Sequence, residues 1–537
     1  MSVNAQLRGS EPVIADEPAD NAASSRRKSY VASPFAVGLI LCAAALAFSL
    51  YWLLQALQQP ILEAHGFRQT QTALTVYYYI KEGIKLDYLT PVIGQNWAIP
   101  FEFPIYQILV AAVVNVTHAP LDSAGRIVSW VFMCLCCGPL YLSLRRLGAP
   151  AATCLLCVAL VMGAPEYVFW SGTFMIETTA LFFTLCFVFY ALRILQKRAK
   201  TLDYLLGALF LTLGLLQKVT TILPVAMMFS LLVAVTYLRP ATIFREWRPI
   251  AASAAMVLLG VALMYVWTVH SDLVKTHNPI GATMMSSKLL QWNFGTLSQR
   301  LSSQLWSQVL YERVFRGSVF GATGAVAILC GVVLAPQVRM RWTIAIATLA
   351  GLSQFLIFTN LHIIHDYYQV SATLYFLIAV GLSVGALAEK FAPGRPLLFA
   401  LAAIALVGAN FFGFGNTYAS VRRIQMTTSN TTTLNISEFI KSATAQDDVV
   451  VWYGFDWSSE VAYYSQRKSL TVPDWGNTNT DWLDHRETYL DKEPAAVVVR
   501  KTAQTERFLP LIRAKYPDAQ VQDVGTCEVF LIRLARP

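Results

Sequence analysis

The feature that most constrains this chain is the recurrence of apolar runs about 20 residues long with almost no charge, the length needed to cross a hydrocarbon layer about 30 Å thick. Such runs are read at 34–57, 123–144, 150–170, 173–192, 203–217, 220–238, 249–269, 317–336, 342–360, 370–388 and 396–415. Eleven crossings make the protein a polytopic α-helical membrane protein. The composition agrees, with 55% hydrophobic and 14% charged residues among 537, against about 25% charged in a soluble domain. The formal net charge of +9 does not point to nucleic acid, because the basic residues are spread through short loops between the runs.

Those basic loops set an orientation. Arg145 and Arg146, then Arg193, Lys197, Arg198 and Lys200, then Arg239, Arg245 and Arg248, then Arg339 and Arg341, then Lys390 and Arg395 fall on alternate connections. The positive-inside rule makes that set cytoplasmic. The alternation requires Pro104 to His118, short for a crossing, to lie on the outer surface as an interfacial or re-entrant helix. Residues 1–33 read as a disordered cytoplasmic tail, 34–418 as the membrane domain with outer loops 58–122 and 270–316, and 419–537 as an outer soluble α/β domain. In that last segment Val449 to Tyr453, Ala495 to Val499 and Glu528 to Ile532 read as strands, and 458–466 and 503–515 as helices. An integral multi-pass protein results, placed in a bacterial inner membrane with its polar face toward the periplasm or exterior.

On this topology His65, Arg68, Glu102, Glu177, Lys218, His362, His365 and Asp366 all fall on the outer side. Charges at membrane depth are costly and mark functional cavities. A cavity lined by carboxylates and cations suits a substrate half lipid and half water-soluble, such as a lipid-linked phosphosugar. Each residue also has a plainer explanation. Lys218 can snorkel from the end of a span, Glu177 can serve the dipole of the helix it begins, and His365-Asp366-Tyr367-Tyr368 can be a polar turn with aromatic anchors. No convincing metal-ligand set is present.

The stretch Gly83-Ile84-Lys85-Leu86-Asp87-Tyr88-Leu89-Thr90-Pro91, followed by Phe101-Glu102-Phe103-Pro104-Ile105-Tyr106, resembles the first outer loop of the GT-C glycosyltransferases. The nearest branch is that of the protein mannosyltransferases and the bacterial lipid A aminoarabinose transferase. Glu177, Leu213 to Lys218 and His365 to Tyr368 come in the same family's order. The resemblance implies inverting transfer of a sugar from a polyprenyl-phosphate donor, without a nucleotide sugar, to a lipid, glycan or protein acceptor; no cofactor is expected, and cations on the leaving lipid phosphate make a metal unnecessary. It also implies an acidic residue in the first outer loop and basic residues on the lipid phosphate.

The chain departs from that pattern. The family's Asp-Glu pair would fall near Arg68-Gln69, Gln71 stands where a variant has Asp, and Phe103 replaces the lysine after the family glutamate. Gln71 cannot take a proton, so the acids to consider are Glu102, Glu177 and Asp366, with Glu102 or Glu177 favoured as base. Arg68 and Lys218 are the expected phosphate contacts, and Gln71, His365 and Tyr367 the further substrate contacts. The competing readings are a transporter or flippase, for which no internal repeat is evident, and a non-catalytic scaffold of the same fold.

Overall fold

The computed structural model describes residues 33–238, 246–423, 428–475 and 478–533. The expected tail lies outside the described residues except for Ser33, as do Arg239 and Arg245. The first helix, α1 (Pro34–Ala56), starts where Ser33 caps the Ala36 amide and Pro34 supplies a preset first turn. There follow α2 (Gly66–Glu82), α3 (Ile105–Thr117), α4 (Leu121–Arg146), α5 (Ala151–Gly163), α6 (Pro165–Trp170), α7 (Glu177–Leu195), α8 (Thr201–Tyr237) and α9 (Trp247–Thr276). After the short α10 (Leu290–Phe294) and α11 (Leu297–Leu301), a wide π-helical segment Gln304–Arg316 bends by 86° into α12 (Gly321–Leu334). Then come α13 (Val338–Ile357), α14 (Thr359–Ile364), α15 (Val370–Phe391), α16 (Pro396–Thr417), α17 (Ala419–Arg423) and α18 (Thr428–Ala443).

Eight of the described helices are long and apolar enough to cross a membrane, nine with the bent pair. Although α8 counts once by length, it is a hairpin. A straight helix of its 37 residues would separate its ends by about 55 Å. Instead the Tyr237 hydroxyl donates to the Ile194 carbonyl, and the Lys197 ammonium lies 5.0 Å from the Tyr237 ring. A Cβ on Gly214 would meet the Ile222 side chain, so the arms pack face to face. The reversal occurs at Lys218, the one residue of α8 with non-helical φ −161° and ψ 93°. The readings at 203–217 and 220–238 are therefore its two arms. The run read at 150–170 is divided between α5 and α6.

The two ends of the bundle differ in chemistry. At one, the Arg146 carbonyl accepts from Gln196 and from Arg339 (2.8 Å), Arg193 pairs with Asp203 at 2.6 Å, and Lys197 pairs with Glu246 at 2.7 Å. At the other lie α2, α3 and a sheet. Helix α3 does not cross. Its entry is tied to the α8 hairpin tip by the Phe103 amide on the Leu216 carbonyl at 3.0 Å, and its exit leads into α4, where Ser123 bonds the Leu57 carbonyl at 3.1 Å.

The sheet has strands β1 (Val449–Tyr453), β2 (Lys468–Thr471), β3 (Ala496–Arg500), β4 (Gln520–Val524) and β5 (Cys527–Leu531), ordered β2-β1-β3-β5-β4. Strands β2, β1 and β3 are parallel, and β5 runs antiparallel to β3 and β4. The apolar strands β1 and β5 are buried throughout, as the middle of a covered sheet requires. The edge of β2 is closed by the first loop. The Ser469 amide donates to the Pro91 carbonyl at 3.1 Å and the Thr471 amide to the Val92 carbonyl at 2.8 Å, which removes a free edge. Gly94 turns away from that edge at φ +90°, where a Cβ would sit 2.3 Å from the Tyr489 carbonyl oxygen.

A further tie between the sheet region and α2 comes from α19 (Glu460–Ser465) and the residue before it. Ser459 donates to the Phe67 carbonyl at 2.6 Å, and its hydroxyl lies 2.8 Å from that of Thr70.

Candidate active site

Three acid–base pairs converge at the sheet-bearing end. The first is built on α2. Arg68 gives one Nη to Glu102 at 2.8 Å and the other to Gln71, one helical turn on, at 2.6 Å. Gln107, in the first turns of α3, donates to the second Glu102 oxygen at 3.0 Å. The Tyr88 hydroxyl braces the turn by donating to the Glu102 carbonyl and accepting from the Phe101 amide at 2.7 Å. Burial opposes charge on Glu102, yet Arg68 and Gln107 together hold its carboxyl below the usual range. Burial likewise works against the Arg68 charge, and Glu102 overcomes it and raises the guanidinium above its ordinary value.

The second pair is made by the α8 hairpin. Reversal at Lys218 aims its side chain inward, where Nζ bonds Glu177, the first residue of α7. Only 9% of the Lys218 side chain and 3% of the Glu177 side chain are exposed. The Lys218 ammonium also lies 4.2 Å from the Tyr368 ring and 5.0 Å from the Tyr367 ring. Lys218 therefore does not snorkel, and Glu177 serves both its helix start and a cation. The second Glu177 oxygen has no hydrogen-bond partner. The Gln217 side chain caps the α3 entry by accepting from the Tyr106 amide at 3.1 Å, so the hairpin tip and the Glu102 turn are one unit.

The third pair joins residues far apart in sequence. His65 sits in the left-handed region at φ 55° as α2 begins, which swings its imidazole out of the helix line. Its Nε2 lies 2.8 Å from Asp366 Oδ1. This pair is the most open of the three, with 21% of the His65 and 30% of the Asp366 side chain exposed. The rings of His365 (5.1 Å), Tyr367 (4.9 Å) and Trp170 (6.0 Å) surround it. His365 is stacked on Tyr367 at 22° between planes. Burial first, and then the neighbouring His65, push His365 down to about 4, so it stays neutral near pH 7. His362 is buried against Phe355 with ring centres 4.3 Å apart and lies 6.3 Å from the Tyr368 ring, and burial first, then Lys218, pushes it down to about 3.

The expected residues Arg68, Gln71, Glu102, Glu177, Lys218, His365, Asp366 and Tyr367 thus share one end of the bundle. The electrostatic neighbours of Lys218 include Arg68 and Glu102, and those of Arg68 include Tyr367 and Tyr368. The favoured assignment of Glu102 or Glu177 as base meets a difficulty here, because each already neutralises a buried cation and a proton on either would leave that cation unbalanced. Sequence reasoning set His65 on the correct side without a role. Its partner is 301 residues away, and the only local signal is its place immediately before the glycine that opens α2.

Behind the site lies a charged cluster that sequence reasoning missed. Arg126 of α4 and Arg422 of α17 both bind Glu63, at 2.9 Å and 2.8 Å, and all three side chains are 0–1% exposed. Arg126 also donates to the carbonyls of Pro60 (3.0 Å) and Gly172 (2.9 Å). The cluster thereby clamps the entry to α2 against the turn before α7. Among the described residues no group of three or more His, Cys, Asp or Glu could hold a metal ion.

No family model and no curated protein matches the sequence. Solved structures do match. ArnT from Cupriavidus metallidurans, bound to undecaprenyl phosphate, superimposes with TM-score 0.62 at 13% identity over 92% of this chain and 97% of its own. The archaeal oligosaccharyltransferase AglB from Archaeoglobus fulgidus, in complex with an inhibitory peptide and a dolichol-phosphate, gives 0.55 at 10% identity over 90% and 72%. The mycobacterial arabinofuranosyltransferase AftD gives 0.51 at 11% identity over 92% of this chain but 40% of AftD. The protein is an integral multi-pass membrane protein, and its chain has the GT-C fold of membrane glycosyltransferases.

Proposed function

We propose that the protein transfers a sugar from a polyprenyl-phosphate donor to a lipid, glycan or protein acceptor, with inversion, at the membrane face that carries the sheet. The observation that carries this reading is the convergence of Arg68, Lys218 and the His65–Asp366 pair at one end of the bundle. The lipid phosphates bound to ArnT and AglB support a donor of this class. The basic loops at the opposite end support a cytoplasmic location for that end, so the site faces the periplasm or exterior of a bacterial inner membrane.

In this reading His65 is the base. Its Nε2 lies 2.8 Å from Asp366 Oδ1, and in the tautomer that carries the proton on Nε2, held there by the carboxylate, Nδ1 is the nitrogen that accepts. The acceptor hydroxyl gives its proton to Nδ1 while its oxygen bonds to the anomeric carbon from the face opposite the phosphate. The bond from that carbon to the phosphate oxygen breaks, and its electron pair leaves with the lipid phosphate. Lys218 meets the developing charge. Arg68 exchanges its neutral partner Gln71 for a phosphate oxygen, a stronger acceptor. Glu102 and Glu177 hold the two cations in place, and His365 with Tyr367 forms an aromatic wall for the sugar. Nothing in this step calls for a metal or a cofactor.

The test is release of free polyprenyl phosphate by protein in nanodiscs, given a panel of polyprenyl-phosphate sugars and a membrane extract as acceptor source. A transferase releases lipid phosphate from at least one donor, and Asp366→Asn lowers the rate by about 10²-fold or more. A folded wild type that releases none from any donor fits the scaffold or transporter alternative instead.

A further inference from the structure

A second cavity, whose lining shares no residue with these pairs, lies at the end of the bundle where the arginines gather. It is a cleft of about 690 Å³ between α4, α7, the second arm of α8, α13 and α15, within the range of ligand sites. Its lining runs from Arg339 to Ala350 along α13 and from Thr236 back to Val225 along α8. Eleven residues of helix is about 16 Å, half of a hydrocarbon layer about 30 Å thick. The cleft is therefore one leaflet deep.

Its walls are apolar along that depth, with Phe187, Phe229 and Trp342 among them, while Arg146, Arg198 and Arg339 stand at the mouth. Three polar atoms on the lining have no hydrogen-bond partner: Arg146 Nε, Ser143 Oγ and the Tyr375 hydroxyl. Ser143 is 3% and Tyr375 7% exposed, so burial gives them no ready access to water, and such groups normally find partners.

We propose that the cleft holds one chain of an anionic phospholipid from the leaflet at the arginine-rich end, with its phosphate against Arg146, Arg198 and Arg339. An acyl chain matches the depth and the apolar walls. A negative headgroup matches the three cations, as in other basic pockets between membrane helices. The headgroup oxygens can satisfy Arg146 Nε, and the chain ester oxygens can reach Ser143. The site is separate from the transfer chemistry and stands whether or not the opposite end moves a sugar.

The experiment is native mass spectrometry with thermal unfolding on the delipidated full chain, after addition of phosphatidylglycerol, phosphatidylcholine or polyprenyl phosphate. Wild type retains phosphatidylglycerol over phosphatidylcholine by about tenfold and melts at a higher temperature with it. The double substitution Arg198→Gln, Arg339→Gln abolishes the preference and, with the exposed bond from Arg339 to the Arg146 carbonyl lost, lowers the lipid-free melting temperature by no more than about 4 °C. Ala347→Phe, which fills the cleft, lowers retention of either phospholipid. Equal retention of the two phospholipids by wild type, or an undiminished preference in the double variant, overturns the proposal. So does polyprenyl phosphate displacing phosphatidylglycerol with the same arginine dependence, since the occupant is then the lipid substrate.

Discussion

The pairing of Lys218 with Glu177 permits a prediction that separates an engaged lysine from a snorkelling one. Glu177→Gln removes the charge that balances an ammonium whose side chain is 9% exposed. Breaking a buried ion pair from one side costs about 3–5 kcal/mol. The faces of Tyr367 and Tyr368, at 5.0 and 4.2 Å, remain to offset about 1–2 kcal/mol of that. The net loss is about 2–3 kcal/mol. Lys218→Met removes the cation instead, and the double variant removes both charges together. Unfolding by SDS in mixed micelles should give a coupling energy of at least about 2 kcal/mol. The double variant should be more stable than Glu177→Gln alone. Its transfer rate should nevertheless stay at least about 10²-fold below wild type if Lys218 is the phosphate contact proposed above. A coupling below about 0.5 kcal/mol would refute the reasoning, because Lys218 would then reach solvent without its partner.

Other consequences follow from single residues. Glu63→Gln leaves Arg126 and Arg422, 0% and 1% exposed, without a counter-charge; a loss of about 3–5 kcal/mol is expected in the same SDS titration, and a change under about 1 kcal/mol would contradict it. Gly94→Ala places a methyl 2.3 Å from the Tyr489 carbonyl oxygen at a φ of +90°. Amide exchange should therefore quicken at Ser469 and Thr471, whose bonds to the first loop depend on that turn, while the α5–α16 core keeps its protection. Burial, partly countered by Arg500, raises Glu460 to about 6 from an ordinary 4.5. A carboxyl that binds its proton more tightly when folded favours the folded state at low pH, and this contribution is lost as pH rises through 4.5 to 6. Wild type should lose about 2 kcal/mol in all between well below and well above that window, and Glu460→Gln should flatten the profile; an unchanged profile in the variant would show that another group titrates there.

The membrane architecture was legible because it depends on run length and loop charge, both of which survive without any tertiary information. Even the break between 203–217 and 220–238 was visible, since Gln217-Lys218 interrupts the apolar pattern where the hairpin turns. Strands β2 and β4 were not, because Lys468–Thr471 has only four residues and Gln520–Val524 is a polar edge strand; neither carries the apolar run that marked β1, β3 and β5. The membership of the site was readable from sidedness, while its pairing was not. His65 meets Asp366 across 301 residues and Lys218 meets Glu177 across 41. Without those partners Glu102 and Glu177 read as free acids, whereas each is committed to a cation. Arg126 is a lone charge in the 123–144 run, and nothing local in the sequence names Glu63, 63 residues away, as the acid it meets.

The most direct test of the account is turnover of a polyprenyl-phosphate sugar by His65→Ala, with and without added imidazole, in protein that melts at the wild-type temperature. The account predicts a loss of about 10²- to 10⁴-fold, partly restored by imidazole entering the vacated position beside Asp366. Wild-type turnover in the variant without imidazole would contradict it.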